Sequence, residues 1–231
     1  MTIFNATIPT DEDNDIKGYL AQPESGKGPG LILMHEVYGV TEGLKSLADR
    51  FAEEGFVVFC PNMYWRDDED ASFVYEPSKE TLDAMGDDER DALMERIASD
   101  RDKARDLMFR VVNFDGPEDL AAKNAGVVDT INRVSAFLKS LEVCDGRVAS
   151  GGFCFGGRNT YLALTNDADV DGGVAFYATP KLYEVFSEEA AAEIDKPMMF
   201  VYGAEDPYVN DAEKKMMRDA AGTVIRYGAG E

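Results

Sequence analysis

The chain has 231 residues, enough for one large domain with a sizeable core. Hydrophobic residues make up 45% and aromatics 10%, which excludes a disordered chain. Acidic residues outnumber basic ones 45 to 23, for a formal net charge of −22. Such a surface repels nucleic acid and anionic membrane, so neither is an expected partner. The acid is spread along the chain and reads as a solvated surface, or as an adaptation to high salt, where screening relieves the self-repulsion.

The first residues carry no basic run and no long apolar stretch, so no signal peptide is expected. The longest apolar runs, at 30–34 and 56–60, are of strand length rather than membrane-spanning length. A soluble cytoplasmic protein is the expectation. Its three cysteines, Cys60, Cys144 and Cys154, have no C-x-x-C spacing, and His35 is the single histidine. Neither a disulfide framework nor a metal site is expected.

In chain order, residues 16–22 read as a strand, paired with 2–8, and the Pro/Gly-rich turn at 23–30 ends it. Residues 30–35 read as a buried strand. Leu44, Leu47, Ala48, Phe51 and Ala52 recur at helical spacing before Gly55, and 56–60 is the next strand, completing a βαβ unit. From 62 to about 115 the pattern loosens into an excursion or lid-like segment. It is polar with scattered aromatics to Gly86, then charged and helix-prone over 87–112. Val127, Ile131, Val134, Leu138 and Leu141 mark an amphipathic helix. Strands follow at 147–152, 172–177, 197–202 and 223–227, with helices starting at 156 and spanning 211–220. Alternating strands and helices without a linker predict a single α/β domain with a mainly parallel sheet.

The segment Gly152-Phe153-Cys154-Phe155-Gly156 joins a strand to a helix and sets a thiol between glycines. A nucleophile elbow needs this arrangement, because the turn leaves no room for side chains at the flanking positions. The helix that starts there turns its free N–H groups toward the thiol, which favours thiolate, and the Phe155 N–H is a candidate oxyanion donor. A buried filler cysteine is the other reading of Cys154, and the preferred one for Cys60 and Cys144. Two further loops follow strand ends at the same sheet edge. One carries Asp206, a candidate orienting acid. The other carries His35, Glu36 and Val37, the last a candidate second oxyanion donor.

The motifs His35-Glu36-Val37-Tyr38-Gly39-Val40, Phe59-Cys60-Pro61-Asn62-Met63-Tyr64, Gly152-Phe153-Cys154-Phe155-Gly156-Gly157 and Tyr202-Gly203-Ala204-Glu205-Asp206 resemble the dienelactone hydrolase (carboxymethylenebutenolidase) family. The resemblance covers most of the chain. It implies an α/β-hydrolase fold and hydrolysis of enol lactones or small carboxylic esters without a cofactor. It also implies Cys154 as nucleophile, Asp206 as triad acid and Glu36 as the carboxylate that contacts the resting thiol, with Val37 and Phe155 forming the oxyanion hole. Arg101, Arg105 and Tyr38 are the substrate-binding candidates.

The chain ends Tyr227-Gly228-Ala229-Gly230-Glu231, so Glu231 stands where the resemblance implies the triad histidine, and the helix that follows in the family is expected to be absent. His35 is expected to be structural, since side-chain alternation points it away from Glu36. A carboxylate is a poor substitute base, because reference carboxylates and thiols differ by roughly four units, about 5–6 kcal/mol uphill. Three functions remain open: a thiol hydrolase of small esters or lactones, a non-catalytic domain of the same fold that binds a small carbonyl or carboxylate ligand, and a thiol-dependent redox protein. The sequence does not fix an oligomeric state.

Overall fold

A computed structural model describes residues 4–73, 77–178, 188–192, 194–207, 209, 211, 214–215 and 222–227. The strands are β1 (Ala6–Ile8), β2 (Ile16–Ala21), β3 (Gly28–Met34), β4 (Val57–Pro61), β5 (Cys144–Phe153), β6 (Gly172–Phe176), β7 (Met198–Gly203) and β8 (Gly222–Tyr227). They form one sheet in the order β1-β2-β4-β3-β5-β6-β7-β8. The β1–β2 and β2–β4 pairs are antiparallel, and every later pair is parallel. The expected α/β-hydrolase fold is what the chain adopts.

The parallel strands lie in the middle, and their sequences show why. All five residues of β4 are buried, as a strand covered on both faces requires. Alternate side chains then feed two cores. Ile32 and Phe59 pack on one side with Ile131 and Val134 of α4 (Pro117–Ser140) and Tyr161 of α5 (Phe155–Thr165). Leu33, Val58 and Cys60 pack on the other against Leu44, Ala48 and Ala52 of α1 (Glu42–Glu53). The Thr41 hydroxyl starts α1 by accepting from the Leu44 N–H at 3.3 Å, an N-cap worth about 1 kcal/mol.

The stretch after β4 departs from the expected surface excursion. Asn62, Tyr64 and Trp65 are at most 1% exposed, and Phe73 is buried as well. Polar composition hides this burial because the polar ends find partners inside. Asn62 Nδ2 donates to the Asp68 carbonyl at 2.8 Å, and Trp65 Nε1 donates to Thr130 Oγ1 at 3.0 Å. Beyond the short α2 (Lys79–Asp83), the charged 87–112 segment does form one helix, α3 (Asp87–Val112). Ile97, Ala104, Leu107, Met108 and Val112 are its buried residues. A short α6 (Glu188–Ala192) precedes β7. Of the helix expected over 211–220, Asp211, Lys214 and Lys215 are described and helical; the rest lies outside the described residues, as do residues 228–231. Among the described residues no helix is long and apolar enough to cross a membrane.

Candidate active site

The site begins with a backbone conformation. Cys154 sits between β5 and α5 with φ +50° and ψ −107°, left-handed territory that a non-glycine residue enters at a cost of order 1–3 kcal/mol. The neighbours hold it there. Its N–H donates to the Phe176 carbonyl at 2.9 Å, and its carbonyl accepts from the Arg158 N–H at 2.9 Å. The flanking glycines are steric requirements, as the sequence suggested. A Cβ on Gly152 would lie 2.6 Å from the Gly156 carbonyl carbon, and one on Gly156 would lie 2.4 Å from the Met34 carbonyl oxygen. Every residue of α5 from Phe155 to Leu164 is buried, so the elbow is anchored in the core.

Electrostatics at the thiol run against one expectation. The Phe155 N–H does bond the sulfur and favours the thiolate. Burial outweighs it, and the charges of Glu36 and Asp206 add to burial, so the thiol is pushed above its ordinary range. The free donors of one helix end do not compensate for removing water from the sulfur. At rest Cys154 is a protonated thiol.

Three loops at the strand ends surround it. After β3, Glu36 turns toward the end of β6, where its Oε1 accepts from the Tyr177 hydroxyl at 2.8 Å. The structure thus pairs Glu36 with Tyr177, and its influence on Cys154 is through charge. Val37 occupies the same turn, its carbonyl pinned by the Tyr64 hydroxyl at 2.8 Å. After β7, Asp206 sits in a turn closed by its own N–H on the Gly203 carbonyl at 3.2 Å. It is half-buried, and its charge reaches the thiol.

His35 is fully buried and has both ring nitrogens engaged. Nε2 accepts from the Met63 N–H at 3.0 Å, and Nδ1 therefore carries the proton and donates to the Glu36 carbonyl at 2.5 Å. Burial lowers its pKa to about 4, with the Glu36 carbonyl opposing that shift in part, so it is neutral at pH 7. Its ring packs edge-on against Tyr64 at 4.8 Å. This is a structural histidine that ties the β3 turn to the segment after β4.

Beside the elbow lies a cleft of about 220 Å³ lined by Glu36, Tyr38, Leu44, Leu47, Phe153 and Tyr177, among others. Tyr38 lines this cleft. Arg101 and Arg105 are not among the residues that line it: both are exposed on α3, and Arg105 is paired with Asp102 at 2.9 Å. Glu231 lies outside the described residues. A larger cavity of about 380 Å³ sits between the segment after β4, the end of α3 and α4, and none of the elbow's residues lines it. Among the described residues, no group of three or more His, Cys, Asp or Glu side chains could hold a metal ion.

Tyr177 is the site residue that sequence reading passes over. Its φ of +38° is a second strained position at the edge of the cleft, and its ring leans on Phe153 at 5.9 Å. The available signal is an aromatic residue directly after a parallel strand next to the elbow, which places it at the carboxyl edge of the sheet. Together these groups present a half-buried thiol, a backbone donor beside it, two carboxylates acting on it by charge, and an apolar cleft alongside.

The dienelactone hydrolase family model matches residues 16–224. Protein usf of Aquifex pyrophilus is 27% identical over 226 residues, covering 93% of this chain and 79% of that protein. Carboxymethylenebutenolidase 1 of Cupriavidus pinatubonensis is 26% identical over 204 residues, covering 88% of this chain and 72% of the relative. Among solved structures, Est1E from Butyrivibrio proteoclasticus is 13% identical with a TM-score of 0.59, covering 97% of this chain and 88% of that one. A dienelactone hydrolase-like promiscuous phosphotriesterase from metagenomic libraries has the same TM-score at 21% identity, over 97% of this chain and 81% of that one. The two structures support the fold alone.

Proposed function

Because the chain belongs to the dienelactone hydrolase family, we propose that it is a hydrolase of small carboxylic esters or lactones, with Cys154 as nucleophile in a single α/β-hydrolase domain. The observation that carries this reading is the strained conformation of Cys154 between two sterically required glycines. A filler cysteine has no use for a φ of +50°, and strain of this kind persists where it aims a side chain.

In the proposed reaction the sulfur attacks the carbonyl carbon, and the oxygen's developing charge is met by the N–H groups of Phe155 and Val37. The C–O bond to the leaving group then breaks, the leaving oxygen takes a proton from water, and a second water hydrolyses the thioester to a carboxylic acid and free thiol. The thiol's proton leaves to solvent hydroxide before the attack, against the charges of Asp206 and Glu36, which hold the resting thiol protonated. With the thiol raised above its ordinary range, the rate rises with pH through the alkaline region as the thiolate fraction grows.

The test is hydrolysis of phenyl acetate by the chain and by Cys154→Ala and Cys154→Ser. Loss of turnover in the alanine variant, with circular dichroism unchanged, supports the assignment. Unchanged turnover in that variant refutes it.

A further inference from the structure

We infer that the cavity between the segment after β4, the end of α3 and α4 is a binding site in its own right, for a small amphiphilic carboxylate with an apolar body of about eight carbons. The cavity holds about 380 Å³. An apolar cavity of about 150 Å³ already accepts benzene, so chain and head group both fit. Met63, Val111 and Val127 give it an apolar floor, and Met63 and Val127 are buried. On the α4 side, Ala122 and Gly126 stand one turn apart and present no side chain beyond a methyl. Sterics do not demand that glycine: a Cβ there would have Arg66 Nη1 at 3.6 Å as its nearest neighbour, an ordinary contact. Glycine weakens a helix interior, and here it leaves the wall open.

Three cations line the cavity, Arg66, Arg110 and Lys123, against one carboxylate, Asp67. The three are not equivalent. Arg66 is saturated: Nε and Nη2 hold Glu12, Nη2 also holds Asp129, and Nη1 donates to the Gly126 carbonyl and to Thr130 Oγ1. It serves as a wall and has nothing left for a ligand. Arg110 is exposed, and Asp67 at 3.6 Å lies beyond hydrogen-bond range, so its guanidinium keeps donors for an anion. Lys123 donates to the Asn113 carbonyl and pairs with Asp119 at 3.3 Å, which leaves an N–H of the ammonium open. The acids behind the walls, Glu12, Asp119 and Asp129, are each engaged with a cation. In a chain of net charge −22, an anion here meets open cationic donors above an apolar floor. No elbow residue lines this cavity, so the inference is independent of the hydrolase reading.

Octanoate and 1-octanol test it, because they share a chain length and differ in the charge of the head. The readout is the emission of Trp65, the single tryptophan. Its Nε1 donates to Thr130 Oγ1 at 3.0 Å, and the Arg66 guanidinium lies 4.1 Å from its ring centre; both partners are cavity residues. The expected result is saturable binding of octanoate, about threefold or more tighter than octanol, at about 0.15 M salt and below the concentration at which octanoate self-associates. Arg110→Gln and Lys123→Gln should each weaken octanoate about threefold, and together about tenfold, with octanol unchanged. Ala122→Phe and Gly126→Leu fill the cavity from α4 and should abolish binding of both compounds. Ala122 is exposed, so its variant should keep the urea midpoint of the parent.

Equal or tighter binding of octanol, no saturable response to octanoate, an octanoate affinity indifferent to both charge variants, or binding that survives both filling variants overturns the inference.

Discussion

Acidification through the range between pH 7 and pH 4 should destabilise this protein by way of one side chain. His35 is fully buried, accepts from the Met63 N–H and has a folded-state pKa of about 4, against 6.5 for the ordinary imidazole. Desolvation is the main cause. The folded-state pKa is depressed, so the unfolded chain binds the proton first. The stabilising contribution is complete above about pH 6.5, declines as pH falls toward about 4, and is gone below that. A separation of about two and a half units, at 1.36 kcal/mol each, amounts to roughly 3 kcal/mol. That is a large part of the 5–15 kcal/mol typical of a domain.

Carboxylates titrate over the same range and relieve self-repulsion as they do so, so the measurement must be a difference. Urea unfolding of the parent and of His35→Gln should be followed from pH 7.5 to 4.5. The variant is less stable at neutral pH, and its stability should fall less steeply with acid by about 2–3 kcal/mol over that span. Because the chain has one histidine, its ring signals in an NMR titration need no assignment. A ring that titrates near 6.5 in the folded protein, or parallel pH curves for parent and variant, would refute the reasoning.

The thiol of Cys154 should react slowly with iodoacetamide at neutral pH and gain reactivity only above the ordinary thiol range. Glu36→Gln should lower its pKa by removing a charge that raises it, and a slower reaction in the variant at pH 8 would contradict that sign. Gly156→Ala should cost about 2–4 kcal/mol of stability, since its Cβ meets backbone that cannot rotate away; a urea midpoint equal to the parent's would show that the elbow is not sterically closed. The excess of acidic residues should make the urea midpoint rise between about 0.1 M and 2 M NaCl as screening shortens the reach of self-repulsion, and a flat curve would count against an adaptation to high salt.

The central strands are legible in the sequence because burial on both faces leaves continuous apolar runs, as in β4. The elbow is legible because its glycines answer to a local steric demand. What escapes is whatever depends on a distant partner. Asn62 to Trp65 reads as surface because the amide and indole that make it polar give no sign that Asp68 and Thr130 will satisfy them. Tyr177 escapes because its role is a backbone conformation and a bond to a residue 141 positions away. The charge state of Cys154 escapes for a related reason. A helix start is visible in sequence, whereas the depth at which it will be buried is not.

The full burial of α5 also bears on how such a site can change over evolutionary time. A helix with no solvent-facing side chain along ten residues tolerates few substitutions, and each of them is felt by the sheet on which it rests. New chemistry at this elbow is therefore easiest to reach from outside the helix, by exchanging the residues that follow β3, β6 and β7. Glu36, Tyr38, Tyr177 and Asp206 all lie on such segments. They can be altered singly while Cys154 keeps its place, which makes the fixed part of the site its scaffold and the adjustable part its rim.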